Sequence, residues 1–140
     1  AGSTAKKFGI EEGRVLAKPL VEFYFKNDEL QDPFLSDDQA LMLGVVTENE
    51  IHKLKAMALN VNDVLTEVMQ NAGLKLVDFK IEIGRYQGRL ILADEISPDC
   101  CRLWDLKTGE KMDKDRFRRD LGNVQESYQE VCRRLTEVLR

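Results

Sequence analysis

Cysteine is scarce in this chain and badly spaced for chemistry: Cys100 and Cys101 are adjacent and Cys132 stands far away. Three such residues make neither a paired disulfide framework nor a C-x-x-C metal site, and reduced thiols are the expected state. No apolar run approaches the roughly 18 residues that a membrane span requires. The charged N-terminal stretch also lacks the apolar core of a signal peptide. Positive charge is not in excess: the formal net charge is -4 and the isoelectric point about 5.1. Bulk attraction to nucleic acid or to an anionic membrane is disfavoured, so any bound anion must be held by local geometry. The only histidine, His52, follows a helix-capping pattern and is expected to face solvent without a chemical role. Repeats and low-complexity tracts are absent, and a cytoplasmic protein is the expectation.

What is present suffices for a core. The sequence has 140 residues, 43% hydrophobic and 33% charged, which suits a single folded unit over residues 1–140. AGSTAKKFG reads as a short helical turn, capped by Ser3 or Thr4 and stopped at Gly9. In LVEFYFK, Val21, Phe23 and Phe25 alternate with Glu22, Tyr24 and Lys26, as in a half-buried strand. The polar KNDELQDP that follows is turn-forming. Ser36 with Gln39 makes a capping box for a short helix closing at Gly44. Thr47 with Glu50 makes another, and Ile51, Leu54, Ala58, Val61, Leu65, Val68 and Met69 keep helical spacing up to Gly73.

Two apolar-alternating runs, LVDFKIEI and RLILADEIS, flank GRYQG and read as a β-hairpin. A short helix is expected from Asp113 to near Gly122. Asn123 and Glu126 are placed to cap a last helix, with Val124, Tyr128, Val131, Leu135 and Val138 or Leu139 inward. An α+β fold follows, with an antiparallel sheet packed against helices.

The hairpin carries the chemistry. Strand alternation puts Val77, Phe79, Ile81 and Ile83 on one face and Asp78, Lys80 and Glu82 on the other. An even register adds Asp94 to that charged face, whereas a one-residue slip presents Glu95. Two carboxylates from neighbouring strands suit Mg²⁺, which takes one or two protein carboxylates together with phosphate oxygens. The structural alternative is a solvated face laced with cross-strand ion pairs, each worth at most about 1 kcal/mol.

AGSTAKKFGIEEG, FYFKNDELQDP, LVDFKIEIG, LADEISPD, RLWD and EKMDKDRFRRDLG, in that order, resemble phosphoribosylaminoimidazole-succinocarboxamide synthases over nearly the whole chain. The resemblance implies the C-terminal, ATP-grasp-like domain of that fold. It also implies that the family's N-terminal lobe, whose glycine- and lysine-containing stretch covers ATP, is not in this sequence, nor is an arginine expected just before Ala1. On that reading the chain is a proteolytic product or an isolated domain, and inactive alone.

The implied reaction joins L-aspartate to carboxyaminoimidazole ribonucleotide (CAIR), giving SAICAR, ADP and phosphate in purine synthesis by way of an acyl phosphate. The implied cofactors are ATP and Mg²⁺, and the implied assembly a homo-oligomer. The resemblance assigns Glu82 and Asp94 to the metal and nucleotide phosphates, and Lys26 to a phosphate contact. Lys80 and Asp78 face CAIR and aspartate as the catalytic pair. Ser3 and Arg102 take the ribonucleotide phosphate, and Asp99, Arg118, Lys114 and Asp115 complete the substrate pocket. Cys100 and Cys101 depart from the small residues usual between SPD and RLWD. A positive φ at Cys100 would cost on the order of 1 kcal/mol.

Singly, each residue has a plain alternative: Ser3 as an N-cap, the arginines as surface ion-pair partners, Asp99 as a turn former. At the level of function the alternatives are a nucleotide- or anion-binding module without turnover, and a phosphotransferase using the same hairpin.

Overall fold

The computed structural model describes residues 2–140, with side chains from Thr4 on. Contacts divide the chain into two compact units, Leu16–Val61 and the combination of Ala1–Val15 with Asn62–Arg140. Among the described residues every strand pair is antiparallel and five α-helices accompany them, so the α+β class holds. The expected sheet is divided among the described residues into three two-stranded pieces.

In the unit Leu16–Val61, β1 (Phe23–Tyr24) pairs with β2 (Phe34–Leu35). The predicted alternation is visible in burial: Val21, Phe23 and Phe25 are half-buried and their neighbours exposed, although only two residues enter the ladder. Asn27 caps a 3₁₀ turn over Asp28–Leu30 by accepting from the Leu30 N–H at 3.0 Å. Asp32 in turn accepts from the Asn27 N–H at 2.8 Å. Helix α2 (Asp37–Met42) starts from the predicted box: the Ser36 N–H donates to Gln39 and the Gln39 N–H to Ser36. Thr47 and Glu50 reciprocate in the same way before α3 (Glu48–Asn71). Leu35, Ala40 and Ile51 form the core here, with Phe23, Phe25, Val45 and Val46 packed around them. His52 is exposed, as expected.

The other unit begins with α1 (Gly2–Lys7), which Gly9 terminates in a left-handed conformation. The helix is already under way at Gly2, so Thr4 lies inside it and is not its cap, while the Ser3 side chain lies outside the described residues. Downstream, β3 (Leu74–Phe79) pairs with β6 (Cys101–Asp105), while β4 (Glu82–Tyr86) pairs with β5 (Arg89–Ala93). The predicted continuous strand through VDFKIEI is therefore corrected to two strands broken at Lys80 and Ile81. The partner changes at the break: the Lys80 N–H still donates to the Cys100 carbonyl at 2.8 Å, next to the Phe79–Cys101 pair of β3 and β6, whereas Glu82 pairs with Ala93 of β5. A register shift between Leu76 and Asp78 further breaks the simple alternation. The hairpin turn is Gln87-Gly88, both residues at positive φ, tighter than the five-residue GRYQG connection.

Met69, Ala72, Leu74, Cys101, Leu103, Met112 and Val131 make the core of this unit, with Leu135 and Val138 of α5 (Val124–Val138) packed against it. Val138 faces inward and Leu139 is exposed. Asn123 precedes α5 in a left-handed conformation and makes no side-chain cap, contrary to the reading of NVQE, because a cap requires extended backbone there. The predicted helix from Asp113 is one turn, α4 (Asp115–Arg118).

Gly13 is indispensable where it stands. Its φ is +88°, and a Cβ there would lie 2.9 Å from the Trp104 ring. Lys75 and Lys111 approach that ring at 5.6 and 5.4 Å from its centre.

Two depressed carboxylates tie the unit together. Asp105, buried on β6, accepts from the Thr108 and Lys107 N–H groups at 2.8 Å each and pairs with Arg134 of α5 at 2.8 Å. The Thr108 N–H first, then Arg134, lower its pKa from 3.8 to about 2. Glu12 is pulled from 4.5 to about 2 by Arg119 and then Lys111, fastening the N-terminal segment beside α4. Both groups bind protons more weakly folded than unfolded. Their stabilisation is thus complete above their ordinary values and is lost as pH falls through about 2. The melting temperature of the intact protein should fall between about pH 4.5 and about pH 2. Asp105→Asn should melt lower at pH 7 and show a flatter decline on acidification. Thermal melts across that range check both expectations, and parallel curves for the two proteins would contradict them.

Candidate functional site

The break between β3 and β4 gathers the chemistry-bearing residues. At the end of β3, Asp78 sits opposite Arg102 of β6, and Arg102 Nη1 donates to both Asp78 oxygens at 3.0 and 2.9 Å. Arg102 Nε reaches Asp115 at 3.0 Å, so one guanidinium joins two carboxylates. The side chains of Arg102 and Asp115 are only 18% and 5% exposed, which makes this a largely dehydrated network. Burial works against the charge of Arg102, but Asp78 and Asp115 more than offset it and raise its pKa.

Asp113 supports this network from below and is fully buried. Its carboxylate accepts from the Leu103 N–H and the Asp115 N–H, both at 2.8 Å, and so fixes the 113–115 segment to β6 beside Arg102. Burial raises its pKa, and the two backbone donors only partly counter that. The next arginine, Arg116, is also structural: buried, it donates to the carbonyls of Gly122 and Lys111 at 2.8 and 2.9 Å and pairs with Glu110.

The Ser-Pro-Asp turn closes over the same region. Cys100 and Cys101 N–H groups return to the Ser97 carbonyl at 3.1 and 3.0 Å, and the Lys114 N–H donates to the Pro98 carbonyl at 3.2 Å. Cys100 has a negative φ, which removes the strain that a non-glycine residue was expected to bring there. Its sulfur accepts from the Ser97 N–H at 3.1 Å and helps to hold the turn. Cys101 is core, and burial followed by Cys100 pushes its thiol up to about 12, a poor nucleophile. Asp99 points to α5, where the Tyr128 hydroxyl donates to it at 2.7 Å.

On the other side of the break, Lys80 and Glu82 form an ion pair at 3.1 Å. Glu82 pairs with Ala93 in the ladder, so neither Asp94 nor Glu95 is a ladder residue as the alternation argument expected. Asp94 follows directly in a left-handed conformation, φ +67°, at the open end of the hairpin. Among the described residues no cluster of three metal-binding side chains occurs. Glu82 and Asp94, two hard oxygen donors at one end of a ribbon, nonetheless suit Mg²⁺, which needs few protein ligands when phosphate and water complete its shell.

Of the residues named from sequence, Asp78, Arg102 and Asp115 are in direct contact, Lys80 pairs with Glu82, and Asp99 and Lys114 lie on the bonded turns beside them. Arg118 is exposed on α4. Lys26 is exposed in the unit Leu16–Val61, and the Ser3 side chain lies outside the described residues. Asp113 and Tyr128 were not legible as site residues. The D-x-D of MDKD was the available signal for Asp113, since an aspartate readily binds the N–H two residues on. Tyr128 offered none beyond its place on an apolar helix face.

The sequence profile of the SAICAR synthetase family matches residues 1–135. A phosphoribosylaminoimidazole-succinocarboxamide synthase from Magnetococcus marinus is 56% identical over 138 residues, which cover 96% of this chain and 57% of that relative's length. The crystal structure of the enzyme of that name from Ehrlichia chaffeensis superposes with a TM-score of 0.93 at 48% identity, covering 97% of this chain and 59% of that one. A SAICAR synthetase solved in complex with ADP superposes equally well, TM-score 0.93 at 46% identity, covering 98% of this chain and 59% of that one. The chain thus spans somewhat more than half the length of these relatives.

Proposed function

This chain belongs to the SAICAR synthetase family, and from that premise we propose that the protein is an ATP-dependent ligase that joins L-aspartate to CAIR with release of ADP and phosphate. The observation that supports the reading is the Asp78–Arg102–Asp115 network and the Lys80–Glu82 pair on the two sides of one strand break, within a chain of this family.

A carboxylate is a poor acyl electrophile at neutral pH, so the CAIR carboxylate has to be activated by ATP, as an acyl phosphate, before the aspartate amine attacks it. Three anions then meet, and the protein's task is positioning and charge neutralisation. Glu82 and Asp94 are the residues that would hold Mg²⁺, which when bound supplies charge neutralisation at phosphate oxygens. Lys80 offers an ammonium to the substrate anions, and Lys26 a second cation toward nucleotide phosphate. Asp78 orients Arg102 and accepts from the incoming amine. Arg102 and Ser3 take the ribonucleotide phosphate, with Asp99, Lys114, Asp115 and Arg118 lining the substrate pocket. The reading extends to a cytoplasmic homo-oligomer.

The test is ADP release by the intact protein supplied with ATP, Mg²⁺, CAIR and L-aspartate. ADP should appear only when CAIR and L-aspartate are both present, in step with the amide product. ADP formed equally well without L-aspartate would overturn the ligase reading in favour of a phosphotransferase, and its absence under all conditions would favour a binding module.

A further inference from the structure

We infer that Tyr128 is a positioning residue that aims the Asp99 carboxylate at substrate; this rests on the assignment of Asp99 to the substrate pocket. The Tyr128 hydroxyl donates to Asp99 Oδ1 at 2.7 Å across 29 residues of sequence. The two ends of this bond differ in rigidity. Tyr128 stands on α5, whose Val131 is 1% exposed in the core and whose Arg134 is bonded to Asp105 of β6. Asp99 is exposed at the tip of the Ser-Pro-Asp turn, held locally by its own N–H donating to Ser97 Oγ at 3.2 Å.

Among the described residues, no other donor reaches the Asp99 carboxylate. Oδ2 is left to accept from a hydroxyl or amine of a ligand. A phenol is suited to this role: it donates to one carboxylate oxygen without bringing a charge that would compete with a cationic amine for the other. The surroundings keep that phenol protonated, since burial and then the bond to Asp99 raise its pKa, Asp113 adding to the rise and Arg118 opposing it. The hydroxyl therefore remains a donor throughout the physiological range. A tyrosine chosen only for packing would need no such bond, because the ring alone fills the space between turn and helix.

Tyr128→Phe keeps the ring and removes the donor. In the intact protein it should raise KM for one of the two carboxylated substrates about tenfold, the scale of a hydrogen bond to a charged acceptor. kcat should change less than about twofold, and melting should stay close to the parent. Asp99→Ala should raise the same KM by at least as much, and the double variant should be no worse than Asp99→Ala alone, because the hydroxyl acts only through that carboxylate. Independent, multiplying effects would overturn the inference. So would an unchanged KM in Tyr128→Phe alongside a raised KM in Asp99→Ala. If Asp99→Ala itself leaves both KM values unchanged, the assignment of Asp99 to the pocket fails and the inference falls with it.

Discussion

Glu82→Gln in the intact protein should lower turnover about a thousandfold, equivalent to about 4 kcal/mol in the transition state. The substitution keeps size and polarity and removes only the negative charge that a hard cation requires. Asp94→Asn should act in the same direction, and it is a clean change, since asparagine tolerates the left-handed conformation found at Asp94 at least as well as aspartate does. The competing account is visible in the structure: Glu82 pairs with Lys80 at 3.1 Å, and Lys80 is 60% exposed. An ion pair that open to solvent contributes at most about 1 kcal/mol, so on that account Glu82→Gln would barely alter turnover. The two expectations differ by more than two orders of magnitude. Turnover measured against Mg²⁺ concentration separates them, with thermal melting as the control for folding. Near-normal turnover and unchanged Mg²⁺ dependence in both variants would return Glu82 and Asp94 to an ordinary surface ion-pair role.

The sequence was informative wherever the interaction is local. Both capping boxes join residues three apart, and both are formed by reciprocal side-chain and backbone bonds at Ser36–Gln39 and Thr47–Glu50. The β4–β5 hairpin was likewise legible because its turn residues lie between its strands. The strand break was not. Val77, Phe79, Ile81 and Ile83 keep period two across it, and what divides them is a change of partner from β6 to β5, with Lys80 still bonded to Cys100, twenty positions on in sequence and invisible to any local pattern. Asn123 misled for a related reason: residue type suited a cap, but the chain enters α5 from a left-handed conformation in which that side chain caps nothing.

The site divides along the same line. Alternation brought Lys80 and Glu82 together correctly, two residues apart. It also placed Asp78 with them, whereas Asp78 is engaged by Arg102 across β3 and β6 and, through it, linked to Asp115. Separations of 24 and 13 residues are set by tertiary packing. From sequence alone Arg102 is a free cation for a phosphate; folded, it is a cation already shared by two carboxylates. Any ligand phosphate must therefore add to that network or displace part of it.

That sharing makes Arg102 the residue on which the site's stability turns. Arg102→Met keeps an apolar stem of similar length but takes from Asp115, whose side chain is 5% exposed, its shorter guanidinium contact and leaves it only Arg119 at 3.6 Å. Breaking a largely buried pair from one side costs about 3–5 kcal/mol, because a carboxylate is left charged and dehydrated. The lower end applies here, since Arg119 remains beside Asp115 and Asp78, at 38% exposure, can recover water. For a protein of this size class the loss corresponds to a melting temperature lower by about 10 °C. Asp115→Asn on its own should also destabilise, for it leaves the guanidinium short of a partner. Combining the two removes both charges, and the double variant should melt higher than Arg102→Met alone, recovering most of the loss. If the two penalties simply add, the ion pair is not what stabilises this corner of the fold, and the destabilisation must come from lost packing of the arginine stem along β6. If the double variant recovers, the charges here cost more apart than they contribute together. Arg102 is then retained at that expense for what its guanidinium does to a bound anion, which a folded Arg102→Met/Asp115→Asn protein would expose as lost affinity for CAIR without lost structure.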